Sequence, residues 1–225
     1  MSGSDDQDST APALSPTVTA IEKQKRRPRA DLYLDGVYAC TLGIDLIFER
    51  HIAVGTQITD TQRRDLETDD QRRGAIAAAL RLLSVMPRSE QDLRDRLKHR
   101  DFRRTAVDAA ITRMRELGYL DDAAFARFWI EARQAATPRS RRALAFELSR
   151  KGIDRDLVSE TIAPLSDADA AYAAAQRRLR SLCGLDRPGF TRRLGSFLAS
   201  RGFSYAVARS AIDRCWAELT ADEPV

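Results

Sequence analysis

A segment that opens on proline and carries a leucine pair occurs three times in this chain of 225 residues. The copies are Pro87-Arg-Ser-Glu-Gln-Asp-Leu93-Arg-Asp-Arg-Leu97, Pro138-Arg-Ser-Arg-Arg-Ala-Leu144-Ala-Phe-Glu-Leu148 and Pro188-Gly-Phe-Thr-Arg-Arg-Leu194-Gly-Ser-Phe-Leu198. Leu97 to Leu148 is 51 residues and Leu148 to Leu198 is 50, and the same offsets carry Ile111 to Ile162 to Ile212. A fixed period of this size marks stacked supersecondary units, each too small to bury its own apolar face. The expected fold is therefore mainly α: tandem three-helix repeats forming an elongated array. Such an array suits binding along a large partner better than enclosing a small substrate.

Each unit reads as three helices. One ends near Val85, Ala135 or Leu182, one carries the leucine pair, and one carries Ile111, Ile162 or Ile212. The paired leucines sit four apart, on one helix face. Ser89 with Asp92 makes a capping-box variant. Thr137-Pro138 reads as an N-cap with proline at the first helical position. Asp121 or Asp122, Asp154 and Ser204 are further N-caps, and Asp69 or Asp70 is the expected cap of a helix over 75–85. Gly118, Gly152 and Gly202 fall where helices end and the left-handed conformation is needed, with Asp101 in that place in repeat one.

Ahead of the repeats the period changes. Val18–Glu22 reads as a strand, and Leu32–Ala39 as two β-rich runs around Asp35-Gly36, which suits a type I′ turn. Gly43–His51 reads as a short helix and 54–58 as a turn and final strand. The expected organisation is a disordered tail at 1–16, a small β-rich domain at 17–59 and repeat one with its lead-in helix at 60–122. Repeat two at 123–169, repeat three at 170–219 and a tail at 220–225 complete it.

Charge is unevenly spread. Residues 21–30 hold five bases and one acid, residues 31–70 three bases and nine acids, and residues 81–220 27 bases and 18 acids. The repeats are thus the basic part, which fits a polyanionic partner; a solvated basic face is the plainer alternative. The candidate contacts are Lys98, Arg103 and Arg104 in repeat one, Arg139, Arg141, Arg142, Arg150 and Lys151 in repeat two, and Arg192, Arg193 and Arg201 in repeat three. Arg177, Arg178 and Arg180 belong to the same cluster as the last three. Stacked repeats would align them into a stripe, and arginine's planar fork grips phosphate and carboxylate. No base-stacking sheet motif accompanies them, so DNA binding would be directed at the backbone.

Chemistry is not signalled. His51 and His99 stand in no metal or catalytic context, and there is no GxSxG, GxxxxGK[ST] or GxGxxG. Asp121-Asp122 is the one acidic pair a metal or acid–base role might claim, and capping explains it. Cys40, Cys183 and Cys215 match no zinc or disulfide spacing and read as reduced thiols. No apolar run approaches membrane length. These features predict a cytoplasmic, monomeric, non-enzymatic protein without cofactor or metal.

Pro87-Arg-Ser-Glu with Leu93 and Leu97, Leu117-Gly-Tyr-Leu-Asp-Asp-Ala-Ala-Phe125-Ala, Arg133, and Glu147-Leu-Ser-Arg-Lys-Gly-Ile153 together resemble the RecX regulatory proteins. The resemblance covers residues 70–219, and Ile21-Glu-Lys-Gln-Lys-Arg with Leu34-Asp-Gly-Val-Tyr-Ala is similar to the N-terminal extension of longer members. It implies an array of three-helix repeats that modulates, usually inhibits, the RecA recombinase. Members are thought to lie in the groove of the RecA–DNA filament, opposing its growth, ATP hydrolysis and strand exchange. The sequence departs from the family pattern at Ala135-Ala-Thr-Pro-Arg139, at Asp101, and at Gly189 and Gly195 of repeat three. The alternative reading is a sequence-nonspecific DNA-binding protein that acts by competing for single- or double-stranded DNA.

Overall fold

The Asp35-Gly36 dipeptide adopts φ of 49° and 82°, and this turn sets the register of the first structural unit. The computed structural model describes residues 15–221, so the tails expected at 1–16 and 220–225 lie largely outside the described residues. Strands β1 (Val18–Lys23), β2 (Arg29–Leu34) and β3 (Val37–Gly43) form an antiparallel sheet in that order. Helix α1 (Ile44–Glu49) follows, then the long helix α2 (Asp60–Val85). Among the described residues, those up to Ala78 with Phe102–Ala110 make one compact unit, and Ala79–Asp101 with those from Ile111 onward make a second.

The core of the first unit joins Leu32, Cys40 and Leu42 from the sheet to Leu46 and Ile47 from α1 and Leu66 from α2. Segment 54–58 does not form the expected strand; it makes one bridge, Thr17 to Gln57. The amide of Ile58 donates to the carbonyl of Pro16, and proline has no N–H with which to continue that ladder. Asp69 and Asp70 do not start a helix, because α2 already runs through them. The Asp70 carboxylate is buried instead, where it accepts from the Gly43 amide at 2.7 Å and from Arg29 at 2.7 Å. Asp69 takes Arg50, Arg72 and Arg73. Asp70 thus fastens α2 to the sheet and Asp69 ties it to the end of α1, instead of capping a helix.

The second unit is built on α3 (Glu90–Lys98), α6 (Arg141–Arg150) and α9 (Arg187–Ser200). Each buries its leucine pair completely, which stabilises the fold by about 1.5–3 kcal/mol per side chain. Helices α4 (Arg104–Glu116), α5 (Asp122–Ala136), α7 (Arg155–Ile162), α8 (Asp167–Leu179) and α10 (Tyr205–Ala221) complete the repeats. Caps fall mostly where the sequence places them. Ser89 accepts from the Asp92 amide, Asp121 from Ala123 and Ala124, and Asp154 from Asp156. Thr137 is an exception: it ends α5, and the cap of α6 is Ser140, which accepts from the Ala143 amide. The Asp92 side chain does not return to Ser89, because Arg88 and Arg96 hold it.

One joint is built twice within this unit. The buried Ser89 hydroxyl donates to the Lys151 carbonyl at 2.7 Å, while the Glu90 amide donates to Asp122 at 2.9 Å. Fifty-one residues on, the Ser140 amide donates to the Arg201 carbonyl at 3.2 Å and the Arg141 amide to Asp167 at 2.7 Å. The start of each leucine helix thus sits on the exit of the next one. Gly152 and Gly202 form those exits at φ of 78° and 87°. A Cβ on Gly152 would lie 2.4 Å from the Gln91 Cβ, and one on Gly202 would lie 2.7 Å from the Ser140 Oγ. Glycine is therefore required twice over, for conformation and for close approach. Asp101 takes the same conformation at φ 62°.

Candidate functional site

Repeats two and three differ at one cluster, and the difference opens a cationic groove. In repeat two the carboxylate of Glu147 is a hub: its Oε2 accepts from Trp129 Nε1 at 2.9 Å and Arg133 Nε at 2.8 Å. Arg139 Nη1 lies 2.8 Å from its Oε1 as an ion pair, off the line of a hydrogen bond. Arg133 and Lys151 stand 4.5 and 4.3 Å from the Trp129 ring centre. Fifty residues on, Phe197 replaces Glu147 and Arg201 replaces Lys151. The shared Asp122 and Asp167 contacts align α5 with α8, which puts Arg178 in the place of Arg133 and Ala174 in that of Trp129. The anionic hub is lost and the indole is gone.

What remains is an open groove of about 1060 Å³. Arg177 and Arg178 of α8, and Arg192, Arg193 and Arg201 at α9 and its exit, supply its charge, and no Asp or Glu lines it. Phe197 carries Arg201 at 3.8 Å and Arg178 at 4.9 Å from its ring centre. Arg177 is tethered by its Nη1 to the Ala136 carbonyl at 2.8 Å. Burial, together with the nearby Arg139 and Arg178 charges, lowers the pKa of Arg201 below the ordinary arginine value. The Nε atoms of both Arg139 and Arg201 are buried without a hydrogen-bond partner. Unmet donors and like charges in one place are unfavourable until an anion arrives. The groove is thus suited to phosphate or carboxylate groups, gripped by forked guanidiniums. It contains no histidine, cysteine or carboxylate that could act as nucleophile or base.

Three family models describe the same repeats. The RecX first three-helix domain matches residues 75–114, the second 121–162 and the third 166–212. The chain belongs to the RecX family. The "Regulatory protein RecX" of Streptomyces lividans is 35% identical over 151 residues, 66% of this chain and 80% of that protein. The protein of the same name from Thermobifida fusca is 39% identical over 137 residues, 60% of this chain and 74% of that one. That of Lactobacillus delbrueckii subsp. bulgaricus is 27% identical over 210 residues, 92% of this chain, and so extends into the sheet unit. A crystal structure of a regulatory protein RecX superposes with a TM-score of 0.60 at 24% identity, covering 88% of this chain and 99% of that one. RecX from Lactobacillus salivarius gives 0.55 at 20% identity, covering 65% and 97%. At these identities the two structures establish the shared fold.

Within this RecX chain, the remaining basic candidates have other neighbours. Arg150 lies 5.9 Å from the Phe146 ring centre. Arg141 and Arg142 are exposed on α6. Lys98 lies 4.0 Å from Asp95, Arg103 3.6 Å from Glu67 and Arg104 3.9 Å from Asp108. Arg103 and Arg104 belong to the sheet unit, not to the repeat unit. Arg192, Arg193 and Arg201 come together with Arg177 and Arg178 of the same expected cluster, whereas Arg180 does not line the groove. What singles this cluster out from the other basic ones is the pair of exchanges, Glu147 to Phe197 and Trp129 to Ala174, visible once the repeats are aligned. Asp121 and Asp122 serve as cap and joint. Among the described residues, no three His, Cys, Asp or Glu side chains gather as a metal-ligand set. No described helix is long and apolar enough to cross a membrane.

Proposed function

We propose that the chain is a non-catalytic regulator that binds the RecA–single-stranded DNA filament and inhibits recombinase activity. The observation that carries this reading is the repeat-three groove: five arginines, two buried unmet donors nearby and no acid. Its ligand is a surface rich in anions, and a filament of DNA and protein supplies anions at regular spacing. Membership of a family whose relatives are named regulatory proteins supports a regulatory role. Inhibition then needs no bond to be made or broken: bridging neighbouring subunits, or holding the DNA backbone, opposes filament growth.

The test is RecA-dependent ATP hydrolysis on single-stranded DNA, titrated with this protein. Reversing Arg192, Arg193 and Arg201 to Glu is expected to raise the half-inhibitory concentration by about tenfold or more, because each lost charge-assisted contact contributes about 1.5–3 kcal/mol. Reversing Arg139, Arg141 and Arg142 tests the neighbouring α6 surface in the same assay. Undiminished inhibition by the first variant, with circular dichroism intact, removes the groove from the contact. The competing reading, a DNA-binding protein acting by competition, is favoured by the Phe197 ring among the guanidiniums. Tight, salt-sensitive DNA binding without RecA supports it; weak binding rescued by RecA supports the filament reading.

A further inference from the structure

The sheet unit carries a second cationic feature that the repeats do not explain. The connection from β1 to β2 is a short, fixed loop: the Gln24 amide donates to the Arg29 carbonyl at 2.9 Å, and the Gln24 side chain donates to Asp31 at 2.9 Å. Lys23, Lys25, Arg26 and Arg27 project from it, all exposed. None has an ion-pair partner among the described residues; Arg29, at the base of the loop, is the one that does, in Asp70. A hairpin tip with no internal neutralisation is costly for an isolated fold, because like charges repel at close range. It becomes favourable when an anion sits among them.

Next to the tip lies an apolar cavity of about 410 Å³, lined by Ile21, Lys23, Ile44, Ile47, Phe48 and His51 among others. The cavity is fixed at both ends: the Ile44 amide donates to the Pro28 carbonyl at 3.1 Å, and the His51 amide to the Phe48 carbonyl at 3.1 Å. Phe48 is 82% exposed, although its α1 neighbours Leu46 and Ile47 are buried. One ring is thus presented to solvent on the rim of an apolar hollow that a lysine also lines. Cations that track a phosphate backbone, beside an exposed ring on which a base can stack, are the two parts of a single-strand binding site.

We propose that the β1–β2 hairpin and the Phe48 hollow form a single-stranded nucleic-acid site, separate from the repeat-three groove and formed entirely within the sheet unit. Lys23, Lys25, Arg26 and Arg27 take consecutive phosphates, and Phe48 takes the face of one base. The site is indifferent to sequence, since every base has a π-face and no hydrogen-bonding edge is read.

Fluorescence anisotropy with a labelled oligo-dT 20-mer, and with an abasic strand of the same length, tests this on the full chain. Arg192, Arg193 and Arg201 are reversed to Glu in the background, so that the groove cannot mask the result. Changing Lys25, Arg26 and Arg27 to Glu is expected to weaken binding of both strands at least tenfold. It should also flatten the salt dependence by about two in log–log slope, at roughly 0.7 per phosphate contact on a single strand. The same three residues changed to Gln give a smaller loss in the same direction and keep the test independent of new repulsion. Phe48→Ala is expected to weaken oligo-dT binding roughly fivefold or more, while abasic binding stays unchanged. Unchanged oligo-dT affinity and salt slope in the charge variants overturns the proposal. So does equal binding of the two strands with Phe48→Ala silent, which leaves a charge patch only. Binding of anionic lipid vesicles without binding of oligo-dT also overturns it.

Discussion

Replacing Gly202 by alanine probes the joint between repeats two and three directly. The residue sits at φ 87°, and an added methyl would lie 2.7 Å from the Ser140 hydroxyl and 3.0 Å from the Ala143 Cβ. An L-residue in the left-handed region costs about 1–2 kcal/mol. Forcing a methyl into a closed contact costs about 1–3 kcal/mol more, and reduced freedom of the unfolded chain returns about 0.4–1 kcal/mol. The expected net loss for Gly202→Ala is roughly 1–5 kcal/mol. Gly184→Ala is the control: its φ is 84°, yet nothing lies within 4 Å of the added carbon. The two variants share the backbone and unfolded-state contributions, so their difference, about 1–3 kcal/mol, isolates the joint. Gly152→Ala should be at least as severe as Gly202→Ala, because its methyl meets the Cβ of Gln91 at 2.4 Å, an atom that cannot swing aside. Urea unfolding followed by tryptophan fluorescence and circular dichroism gives the midpoints. If Gly202→Ala and Gly184→Ala unfold at the same urea concentration, the repeats are not joined as described and the reasoning fails.

Three further outcomes follow from individual side chains. Burial pushes the Asp122 carboxyl up, only partly offset by the Glu90 amide that donates to it. A raised folded-state value means that the proton-bound form favours folding, and this contribution fades as pH rises through that value. Asp122→Asn should therefore match the parent at low pH and equal or exceed its melting temperature at neutral pH, whereas Asp122→Ala should cost about 1–3 kcal/mol throughout by orphaning that amide. Burial also raises the thiols of Cys40 and Cys215 to about 11, while Cys183 is exposed. Iodoacetamide at pH 8 should label one thiol in the native protein and three after denaturation, as mass spectrometry will count. Glu147→Gln removes the charge that Arg133 and Arg139 share. With partners more than a third exposed, the stability cost should be only about 1 kcal/mol, and affinity for oligo-dT should rise.

The repeats were legible because burial imposes a period. Leu93, Leu144 and Leu194 had to recur at one spacing once identical helices stack. The hairpin was legible because Asp35-Gly36 admits few conformations. The cap falls not at Thr137 but at Ser140, three residues on, because the serine reaches both the Ala143 amide and, through its own amide, the Arg201 carbonyl. That second bond is tertiary and leaves no local trace. Asp69 and Asp70 misled for the same reason, since partners such as Gly43 and Arg29 are distant in sequence. The groove was hidden in a list of arginines. Counting bases along the chain gives equal weight to Arg103, which meets Glu67, and to Arg201, which meets no acid. Only alignment of repeat against repeat shows that repeat three has exchanged its carboxylate for a ring.

Divergence in repeat three also replaces the polar joint. Ser89 and Ser140 are each buried beneath the exit of the following repeat. Their counterpart fifty residues on is Phe190, fully buried, with its ring centre 5.2 Å from that of Trp216. Trp216 lies on α10, which runs 17 residues where α7 runs eight. The added length lets a helix of the same repeat cover Phe190. An apolar pair within the repeat stands where repeats one and two have a polar joint. Freed from the hub, the same repeat can hold cations unpaired. Repeat two spends its acid on internal pairing; repeat three leaves its arginines for a ligand. The repeat that departs from the polar joint also departs from the anionic hub, which places the anion site in the repeat least like the others.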